Sequence, residues 1–320
     1  MLDGEVTVYC ALLNERASID ELVQSLLRQT RLPDEILFVD GGSKDGTLER
    51  LSQYESRHDI IRVIQAPGSN IAQARNIAFR NARGDVIASI DGGCVARPDW
   101  LERLLRTLGN DIDIVAGVYV ADARTDWDSV IEEFFYPPPE SLPDEWKEPS
   151  HRSVLLRKRV WEELGPFPEY LYRSEDSWFN QRAEERGMRF RTARDAVVSW
   201  KPRANLKEVF RNSYSWVKSD IMNGVRMPFE RNRAIRITLR LLRRVVLFDL
   251  WILATLQEPV AGLLTLPMLV LVLSKYPIRT RSAKRVWLYN LVDYAVMMAS
   301  ASGLFVGQLM RLLKRKAVYS

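Results

Sequence analysis

Cysteine and histidine are scarce in this sequence of 320 residues, which contains two of each. Cys10 and Cys94 cannot form a disulfide framework or a four-cysteine zinc site, and two histidines leave little for a histidine-rich metal centre. A reducing compartment fits this composition best. Two nucleotide signatures are also missing, because no G-x-G-x-x-G follows a strand-like segment and no G-x-x-x-x-G-K-[ST] occurs. Classical dinucleotide binding and P-loop phosphate binding therefore lose support.

Charge is divided unevenly along the chain. Residues 1–200 contain 25 Lys and Arg against 35 Asp and Glu, whereas residues 201–320 contain 21 against 6, so the two parts carry net charges of −10 and +15. The basic residues of the second part flank long apolar runs, a pattern typical of attachment to an anionic membrane surface. Nucleic-acid binding would instead place basic and aromatic residues on a polar surface, so no nucleic-acid partner is predicted.

The first part alternates between apolar runs and segments with helical periodicity. Its first five residues lack the basic start and cleavable apolar stretch of a signal peptide, so we expect the domain to begin in the cytosol. The alternation predicts an α/β fold with a doubly wound, mainly parallel sheet. Strands are predicted at 6–13, 35–40, 60–65, 85–91 and 114–120. A first helix is predicted to begin at a capping box formed by Ser18, and further helices are predicted at 47–54, 71–83, 98–108 and 175–186.

Polar residues stand where three of these strands end. Asn14 and Glu15 follow the first strand, and Asp40 and Asp91 close the second and fourth. Ligands of such sheets bind beyond the carboxyl ends of the strands, so the fold would gather these side chains along one edge. A carboxylate followed by glycines suits a nucleotide that lies close to the backbone, although an ordinary turn explains the segment from Asp40 to Ser43 equally well.

Seven segments occur in a recognisable order between residues 5 and 200. They are VTVYCALLNE at 6–15, SLLRQT at 25–30, FVDGGSKDGT at 38–47, ARN at 74–76, GDVIASIDGG at 84–93, PDWL at 98–101 and SED at 174–176. No single segment is specific, but the ordered set resembles family 2 of the nucleotide-sugar glycosyltransferases. The resemblance implies a Rossmann-like GT-A fold and inverting sugar transfer.

The resemblance also implies roles for individual residues. Asp40 matches the acidic position that reads the donor nucleoside, Arg75 a basic residue near the diphosphate, and Asp91 the first carboxylate of the D-x-D motif. Asp176 matches the catalytic base, with Glu175 beside it. The whole implied donor site comprises Ala11, Asn14, Glu15, Asp40, Gly41, Arg75, Asp91, Gly92 and Gly93.

Two positions depart from the family pattern. Gly41 replaces a second aspartate near the nucleoside, and Gly93 occupies the last position of D-x-D, which usually supplies the direct metal ligand. This chain resembles a subset of bacterial sequences that also read D-[AG]-G-C at this position, so the loss of the second aspartate does not by itself imply an inactive enzyme. Because Mg²⁺ and Mn²⁺ prefer oxygen ligands, we hypothesise that a divalent metal still binds through Asp91, diphosphate oxygens and water. Full activity after exhaustive EDTA treatment would contradict this hypothesis.

The spacing around Asp176 supports its role independently. Ser174 is a suitable N-cap, and Gly187 follows the predicted helix, so both Glu175 and Asp176 fall in its first turn. Stabilisation of the helix dipole explains acidic residues there equally well from spacing alone. The resemblance favours catalysis, with Asp176 taking a proton from the acceptor hydroxyl while Arg75 and any metal stabilise the leaving diphosphate.

Residues 121–230 are expected to form the acceptor half of a glycosyltransferase domain that spans 1–230, with the donor half at about 1–120. Within it, the aromatic and proline-rich stretch 127–146 is more often local packing than sugar contact. The motif Q-x-x-R-W of processive members is missing, which favours transfer of one sugar. Acceptor contacts are predicted for Arg152, Ser153, Trp178 and Trp200.

The tail, 231–320, is predicted to associate with a membrane. Residues 235–244 form a basic amphipathic stretch, and two apolar runs follow at 245–274 and 286–310. Because all three flanks are basic, the positive-inside rule predicts that each run enters and returns as a hairpin, turning near 258–259 and near 299–303. One crossing per run, a soluble helical core and a homo-oligomer interface remain the alternatives.

These observations predict a glycosyltransferase at the cytoplasmic membrane face that moves one sugar from a nucleotide sugar to a lipid-linked or glycan acceptor, such as a polyprenyl carrier. The product would be part of a surface polysaccharide, glycolipid or glycoprotein glycan. A nucleotidyltransferase shares the fold class but normally carries a G-x-G-T-R-like loop, which is missing here. A non-catalytic relative that binds sugar nucleotides is the third hypothesis.

Overall fold

The computed structural model of the protein describes residues 4–136, 138–171, 173–223, 251, 255–258 and 283–319. Contacts divide the chain into two compact units. The sheet unit falls within residues 1–122 and 136–201, and the helical unit within residues 123–135 and 202–320. The predicted domain boundary at residue 230 lies outside the described residues and stays a prediction.

The sheet unit contains an eight-stranded mixed sheet in the order β3-β2-β1-β4-β7-β6-β8-β5. Its strands are β1 (Val6–Leu12), β2 (Glu35–Asp40), β3 (Ile61–Gln65), β4 (Val86–Ser89), β5 (Cys94–Ala96), β6 (Ile114–Ala121), β7 (Val154–Arg157) and β8 (Phe190–Trp200). Strands β1 to β4 pair in parallel, as predicted. The remaining strands include more antiparallel pairs than predicted, because the short strand β7 pairs antiparallel with β4 and β6.

Helices cover both faces of this sheet. They are α1 (Ile19–Leu27), α2 (Thr47–Glu55), α3 (Ile71–Asn81), α4 (Trp100–Leu108), α6 (Lys158–Leu164) and α7 (Glu175–Glu185), with a 3₁₀ turn at Pro139–Ser141. Alternate residues of β1 belong to two separate apolar clusters, since Val8 and Cys10 pack with α1, α2 and α4 and Tyr9 and Ala11 pack with α3, α6 and α7. This arrangement is the doubly wound one that the alternating pattern predicts.

The first helix begins where predicted but without the predicted capping box. Ser18 makes no side-chain hydrogen bond to the helix terminus. Its hydroxyl donates instead to the backbone oxygen of Glu15 at 3.2 Å and to the Glu15 carboxylate at 2.5 Å. The capping prediction was wrong because a carboxylate outside the helix competes for the same hydroxyl.

The helical unit is built from α5 (Asp126–Phe135), α8 (Leu206–Asn223) and α9 (Ala283–Tyr319). Asp126 at the start of α5 forms ion pairs with Lys284 at 2.9 Å and Arg285 at 3.0 Å on α9. The indole of Trp127 donates to the backbone oxygen of Arg203 at 2.6 Å, just before α8. Local packing thus explains Trp127, and helix α5 lies in a stretch where no element was predicted.

The predicted second hairpin is wrong, because α9 is one continuous helix through residues 299–303. Glycine there permits close packing instead of a turn. A Cβ atom on Gly303 would lie 2.8 Å from the backbone oxygen of Tyr214, and one on Gly307 would lie 2.9 Å from the Cβ of Ile221, both on α8. The amphipathic stretch at 235–244 and the first hairpin at 245–274 lie outside the described residues apart from 251 and 255–258.

No helix within the described ranges combines the length and the apolar character that crossing a membrane requires.

The packing of α8 on α9 makes Gly303→Val destabilising. We expect a loss of about 1–3 kcal/mol in the free energy of unfolding, because the added side chain meets backbone atoms of α8 that cannot rotate away. Urea denaturation measures this loss. Gln308→Val, which places the same residue at an exposed position of α9, is the control for helix propensity. Equal stability of the two variants would contradict the close packing at Gly303.

Candidate active site

The carboxyl ends of β1, β2 and β4 meet at one edge of the sheet, as predicted. The register pairs Leu12 with Asp40 and Tyr9 with Ser89, so Asn14, Asp40 and Asp91 follow neighbouring strand ends. Asn14, which has a φ of 57°, joins the loops after β1 and β2 through hydrogen bonds with Ser43 and Lys44. The first two loops therefore support each other at this edge.

Asp40 is fully buried, and its carboxylate closes the turn that follows β2. One oxygen accepts from the backbone amides of Gly42 at 3.0 Å and Ser43 at 2.9 Å, and the other accepts from the Ser43 hydroxyl. A Cβ atom on Gly41 would lie 3.5 Å from the backbone oxygens of Leu12 and Ser69, so this position is also enclosed. These contacts account for Asp40 and Gly41 as turn residues, and their contact with a nucleoside stays a prediction.

Arg75 on α3 joins two of the predicted site residues. Its guanidinium forms an ion pair with Glu175 at the start of α7 and a longer one, of 3.4 Å, with Asp91 after β4. Arg75 and Glu175 are buried, whereas the side chain of Asp91 is 29% exposed. We call these three residues the Arg75 cluster. It brings together side chains that are 100 and 16 residues apart from Arg75 in the chain.

Burial and charge act in opposite directions within the Arg75 cluster. Burial raises the pKa of Glu175 to about 7, although the positive charge of Arg75 opposes the rise. Burial alone would lower the pKa of Arg75, but the negative charges of Glu175 and Asp91 outweigh it and raise that pKa. Arg75 is therefore a permanent cation, and Glu175 is a carboxyl group whose charge is set by pH near neutrality.

Asp176 is the second residue of α7 and is partly exposed. Ser174, the residue before the helix, occupies the N-cap position as predicted. It has a left-handed backbone, with a φ of 66°, and makes no capping hydrogen bond. Such a conformation is costly for a residue other than glycine, and it turns the chain sharply into the helix. Glu175 consequently points into the core toward Arg75, while its neighbour Asp176 stays in contact with solvent.

The glycines after Asp91 pack against Glu15. A Cβ atom on Gly92 would lie 2.8 Å from the Cγ of Glu15, and one on Gly93 would lie 3.6 Å from a Glu15 carboxylate oxygen. Burial raises the pKa of Glu15, and the nearby charges of Asp45 and Asp91 add to the rise. Gly93 has a φ of 75°, a left-handed conformation that favours glycine.

These residues fit poorly with a divalent metal held in the manner of D-x-D. Gly93 offers no side-chain oxygen, and the Glu15 carboxylate is engaged by Ser18. Within the part of the chain that the structure describes, no three His, Cys, Asp or Glu side chains are grouped so that they could hold a metal ion. Binding through Asp91, diphosphate oxygens and water stays a hypothesis.

The four predicted acceptor residues differ in their surroundings. Ser153 is completely buried, and its hydroxyl accepts from the indole of Trp100 at 2.9 Å, so these contacts account for it as a core residue and its contact with an acceptor stays a prediction. Trp178 is partly buried beside the apolar cluster around α3, with the guanidinium of Arg182 over its ring at 5.0 Å. Arg152 and Trp200 lie together, because the Arg152 guanidinium carbon is 4.1 Å from the centre of the Trp200 ring.

Two sets of contacts near the site were not predicted from the sequence. The buried hydroxyl of Tyr9 is 2.8 Å from Nδ1 of His151, and burial together with the charge of Arg75 holds the pKa of His151 well below its usual value. Asn76 binds the backbone of Phe167 through both its amide atoms, at 2.8 and 2.9 Å, and thereby fixes the loop that leads to α7. The polar residue Tyr9 within an apolar strand was a signal for the first set.

The mixed sheet carries acidic residues at its carboxyl edge. The family model described as "Glycosyl transferase family 2" matches residues 7–167, about half of the chain. The chain belongs to this family and is a glycosyltransferase.

Individual relatives support this assignment. Glycosyltransferase AglE of Haloferax volcanii is 28% identical over 267 residues, which cover 78% of this chain and 80% of the relative. The glucosyl-dolichyl phosphate glucuronosyltransferase of the same organism is 32% identical over 131 residues, covering 40% of this chain and 41% of the relative. Among solved structures, the mannosyltransferase PcManGT from Pyrobaculum calidifontis, in complex with GDP-Man and Mn²⁺, aligns over 94% of this chain and 87% of its own with a TM-score of 0.63 and 17% identity. That likeness shows the GT-A fold.

The raised pKa of Glu175 predicts a pH-dependent stability. The folded chain holds this proton up to about pH 7, whereas the unfolded chain releases it near the ordinary value of 4.5, so ionisation of Glu175 reduces stability as the pH rises between these values. We therefore expect wild type to lose stability relative to Glu175→Gln between about pH 4.5 and about pH 7, and to show little further change above that range. Urea denaturation at several pH values measures the difference.

Glu184→Gln is the matched control for this experiment, because Glu184 lies on the same helix and is exposed. Its stability difference from wild type is expected to be flat over the same range. A flat difference for Glu175→Gln as well would mean that Glu175 remains ionised throughout.

Proposed function

We propose that this protein is an inverting glycosyltransferase that moves one sugar from a nucleotide-sugar donor to a hydroxyl group of a lipid-linked or glycan acceptor. The observation that carries the proposal is the geometry at the start of α7, where Glu175 is buried against Arg75 and the adjacent Asp176 remains accessible. A single helical turn thus supplies a structural anchor and a solvent-facing base at the carboxyl edge of the sheet.

In this mechanism Asp176 accepts the proton of the acceptor hydroxyl as its oxygen attacks the anomeric carbon. The new carbon–oxygen bond forms on one face of the sugar, and the bond to the diphosphate oxygen breaks on the other, which inverts the configuration. The electron pair of the broken bond stays with the nucleoside diphosphate, so negative charge develops there. Positively charged side chains near the diphosphate lower the barrier by stabilising that charge.

The donor is expected to lie along the edge formed by the first, second and fourth strands. Ala11, Asn14, Glu15, Asp40 and Gly41 would surround the nucleoside, and Arg75, Asp91, Gly92 and Gly93 the diphosphate and sugar. Because Gly93 withholds the usual metal ligand, no step of the mechanism is routed through a metal.

The acceptor is proposed to be carried on a lipid at the cytoplasmic face of a membrane. Support comes from the net charge of +15 in residues 201–320 and from the relative whose name specifies a dolichyl phosphate substrate. Basic residues beside apolar segments bind anionic lipid surfaces. Assembly of a surface glycan is the process that such an acceptor would serve. A homo-oligomer formed through the C-terminal helices stays a prediction.

Asp176→Asn tests the catalytic role. We expect turnover to fall at least about a hundred-fold, because the amide cannot accept the proton, while donor affinity stays near that of wild type. Sugar transfer and calorimetric binding of the nucleotide sugar are the two measurements. Glu185→Gln, at the exposed far end of α7, serves as control and is expected to keep full activity. An Asp176→Asn enzyme with normal turnover would remove Asp176 from this role.

A panel of UDP-, GDP- and dTDP-sugars identifies the donor class. We expect one class to be hydrolysed slowly without an acceptor and transferred when a polyprenyl-linked acceptor is added. Binding without hydrolysis or transfer for every donor would instead favour the non-catalytic relative.

Membrane association is tested with lipid vesicles. We expect the full chain to sediment with vesicles that contain phosphatidylglycerol and less with vesicles of phosphatidylcholine alone, with the difference shrinking as salt is raised. Equal sedimentation with both vesicle types at low salt would contradict an electrostatic contribution from the basic segment.

A further inference from the structure

Arg75 is surrounded by more negative than positive charge. It pairs with both Glu175 and Asp91, and the negative charge of Asp176 also raises the pKa of Arg75. A guanidinium shared with Asp91, and with Glu175 once that carboxyl group is ionised, has less charge left for a diphosphate with its own negative charges. A donor site built on Arg75 alone therefore lacks positive charge, and Gly93 removes a ligand of the metal that would ordinarily supply it.

Arg152 is a second cation of the sheet unit, and unlike Arg75 it forms no ion pair with a carboxylate of the described residues. Its Nε is shielded from solvent without a hydrogen-bond partner among them. Its hydrogen bonds go to the hydroxyl of Ser150, at 3.2 Å from the guanidinium and 3.4 Å from the backbone amide. Arg152 is partly exposed, and a cation that has one nitrogen shielded from water and no anionic partner within the described residues is suited to bind an anion.

Aromatic rings hold Arg152 in place. The guanidinium carbon is 4.1 Å from the centre of the Trp200 ring and 5.1 Å from that of Tyr119. Stacking on a ring face leaves the edge of the guanidinium, with its N–H groups, available to a ligand. These contacts order the side chain before any ligand arrives, which reduces the entropy lost on binding.

The same tryptophan places Arg152 near the altered D-x-D motif. A Cβ atom on Gly93 would lie 3.7 Å from Nε1 of Trp200, so the glycine and the Arg152 guanidinium are both close to the same ring. Burial alone would lower the pKa of Arg152, but the charge of Asp91 is the main influence that raises it. Burial raises the pKa of Cys94, the residue after Gly93, and the charge of Arg152 opposes that rise. Arg152 and Asp91 thus share one electrostatic environment.

We propose that Arg152 binds the diphosphate of the sugar nucleotide beside Gly93 and supplies the positive charge that a D-x-D metal supplies elsewhere. The inference rests on the proposed transfer from a nucleotide sugar. As the bond between the anomeric carbon and the diphosphate oxygen breaks, the electron pair moves onto that oxygen, and the N–H groups of Arg152 donate to the phosphate oxygens. Arg152 is therefore assigned to the donor and not to the acceptor, where the sequence had placed it.

Calorimetric titration of UDP and GDP in excess EDTA tests the assignment without requiring turnover. We expect wild type to bind one of the two, and Arg152→Met to bind it about ten- to a hundred-fold more weakly, the range expected for a lost charge-assisted hydrogen bond. Affinity for uridine or guanosine, which lack phosphate, should not change. Arg152→Lys keeps the positive charge but lacks the planar guanidinium, so its affinity for the nucleoside diphosphate should lie between those of wild type and Arg152→Met.

Arg182→Met is the matched control, because Arg182 also lies over a tryptophan and also has a buried Nε without a partner among the described residues. This control should keep wild-type affinity for the nucleoside diphosphate. Circular dichroism of each variant checks that folding is retained.

Three results would overturn the assignment. One is an Arg152→Met protein that is folded and binds the nucleoside diphosphate as wild type does in EDTA. Another is a wild type that binds it only when Mn²⁺ or Mg²⁺ is added, which would give the charge to a metal. The third is an Arg152→Met protein in which only the KM for the acceptor changes, while the affinity for the nucleoside diphosphate stays that of wild type. In each case transfer by wild type would still stand, whereas a wild type that transfers no sugar from any donor would refute the proposed function itself.

Discussion

The buried ion pair between Arg75 and Glu175 is the interaction on which the site depends. It ties the middle of α3 to the first residue of α7, and through Asp91 it reaches the end of β4. Without Glu175, the buried Arg75 would keep only its longer ion pair with Asp91, and without Arg75, burial would favour the protonated form of Glu175. The pair also decides which of two adjacent carboxylates faces solvent, because only one of them can point toward Arg75.

Much of the donor side could be predicted from the sequence, since the apolar runs of β1, β2 and β4 fix parallel strands whose ends must meet. The order of local motifs led to the proposed roles of Asp91 and Asp176, which stay predictions. Side-chain competition was harder to predict. Ser18 has every local property of a cap, yet a carboxylate from the preceding loop takes its hydroxyl, and Ser153 resembles an accessible residue until the Trp100 indole is seen to bind it.

The tail shows a different limit of sequence reasoning. A glycine flanked by small residues in a long apolar run indicates either a turn or a close helix contact, and the two differ only in whether another helix lies alongside. Gly303 in α9 meets the backbone of α8, so it belongs to the second type. Tyr214, the residue of α8 that Gly303 meets, is 89 residues earlier in the chain, beyond the reach of any local pattern. Charge and hydropathy described this segment's composition correctly but not its path.

The hydrogen bond between Trp100 and Ser153 has a consequence for how this enzyme could be altered. Ser153 follows Arg152 directly, and a Cβ atom on Gly117 would collide with its hydroxyl at 2.0 Å, so the backbone beneath Arg152 is clamped by the protein interior. A change at Trp100 or Gly117 would reach the guanidinium without touching any ligand. Libraries intended to alter binding of the diphosphate would therefore gain by including these two interior positions together with Arg152.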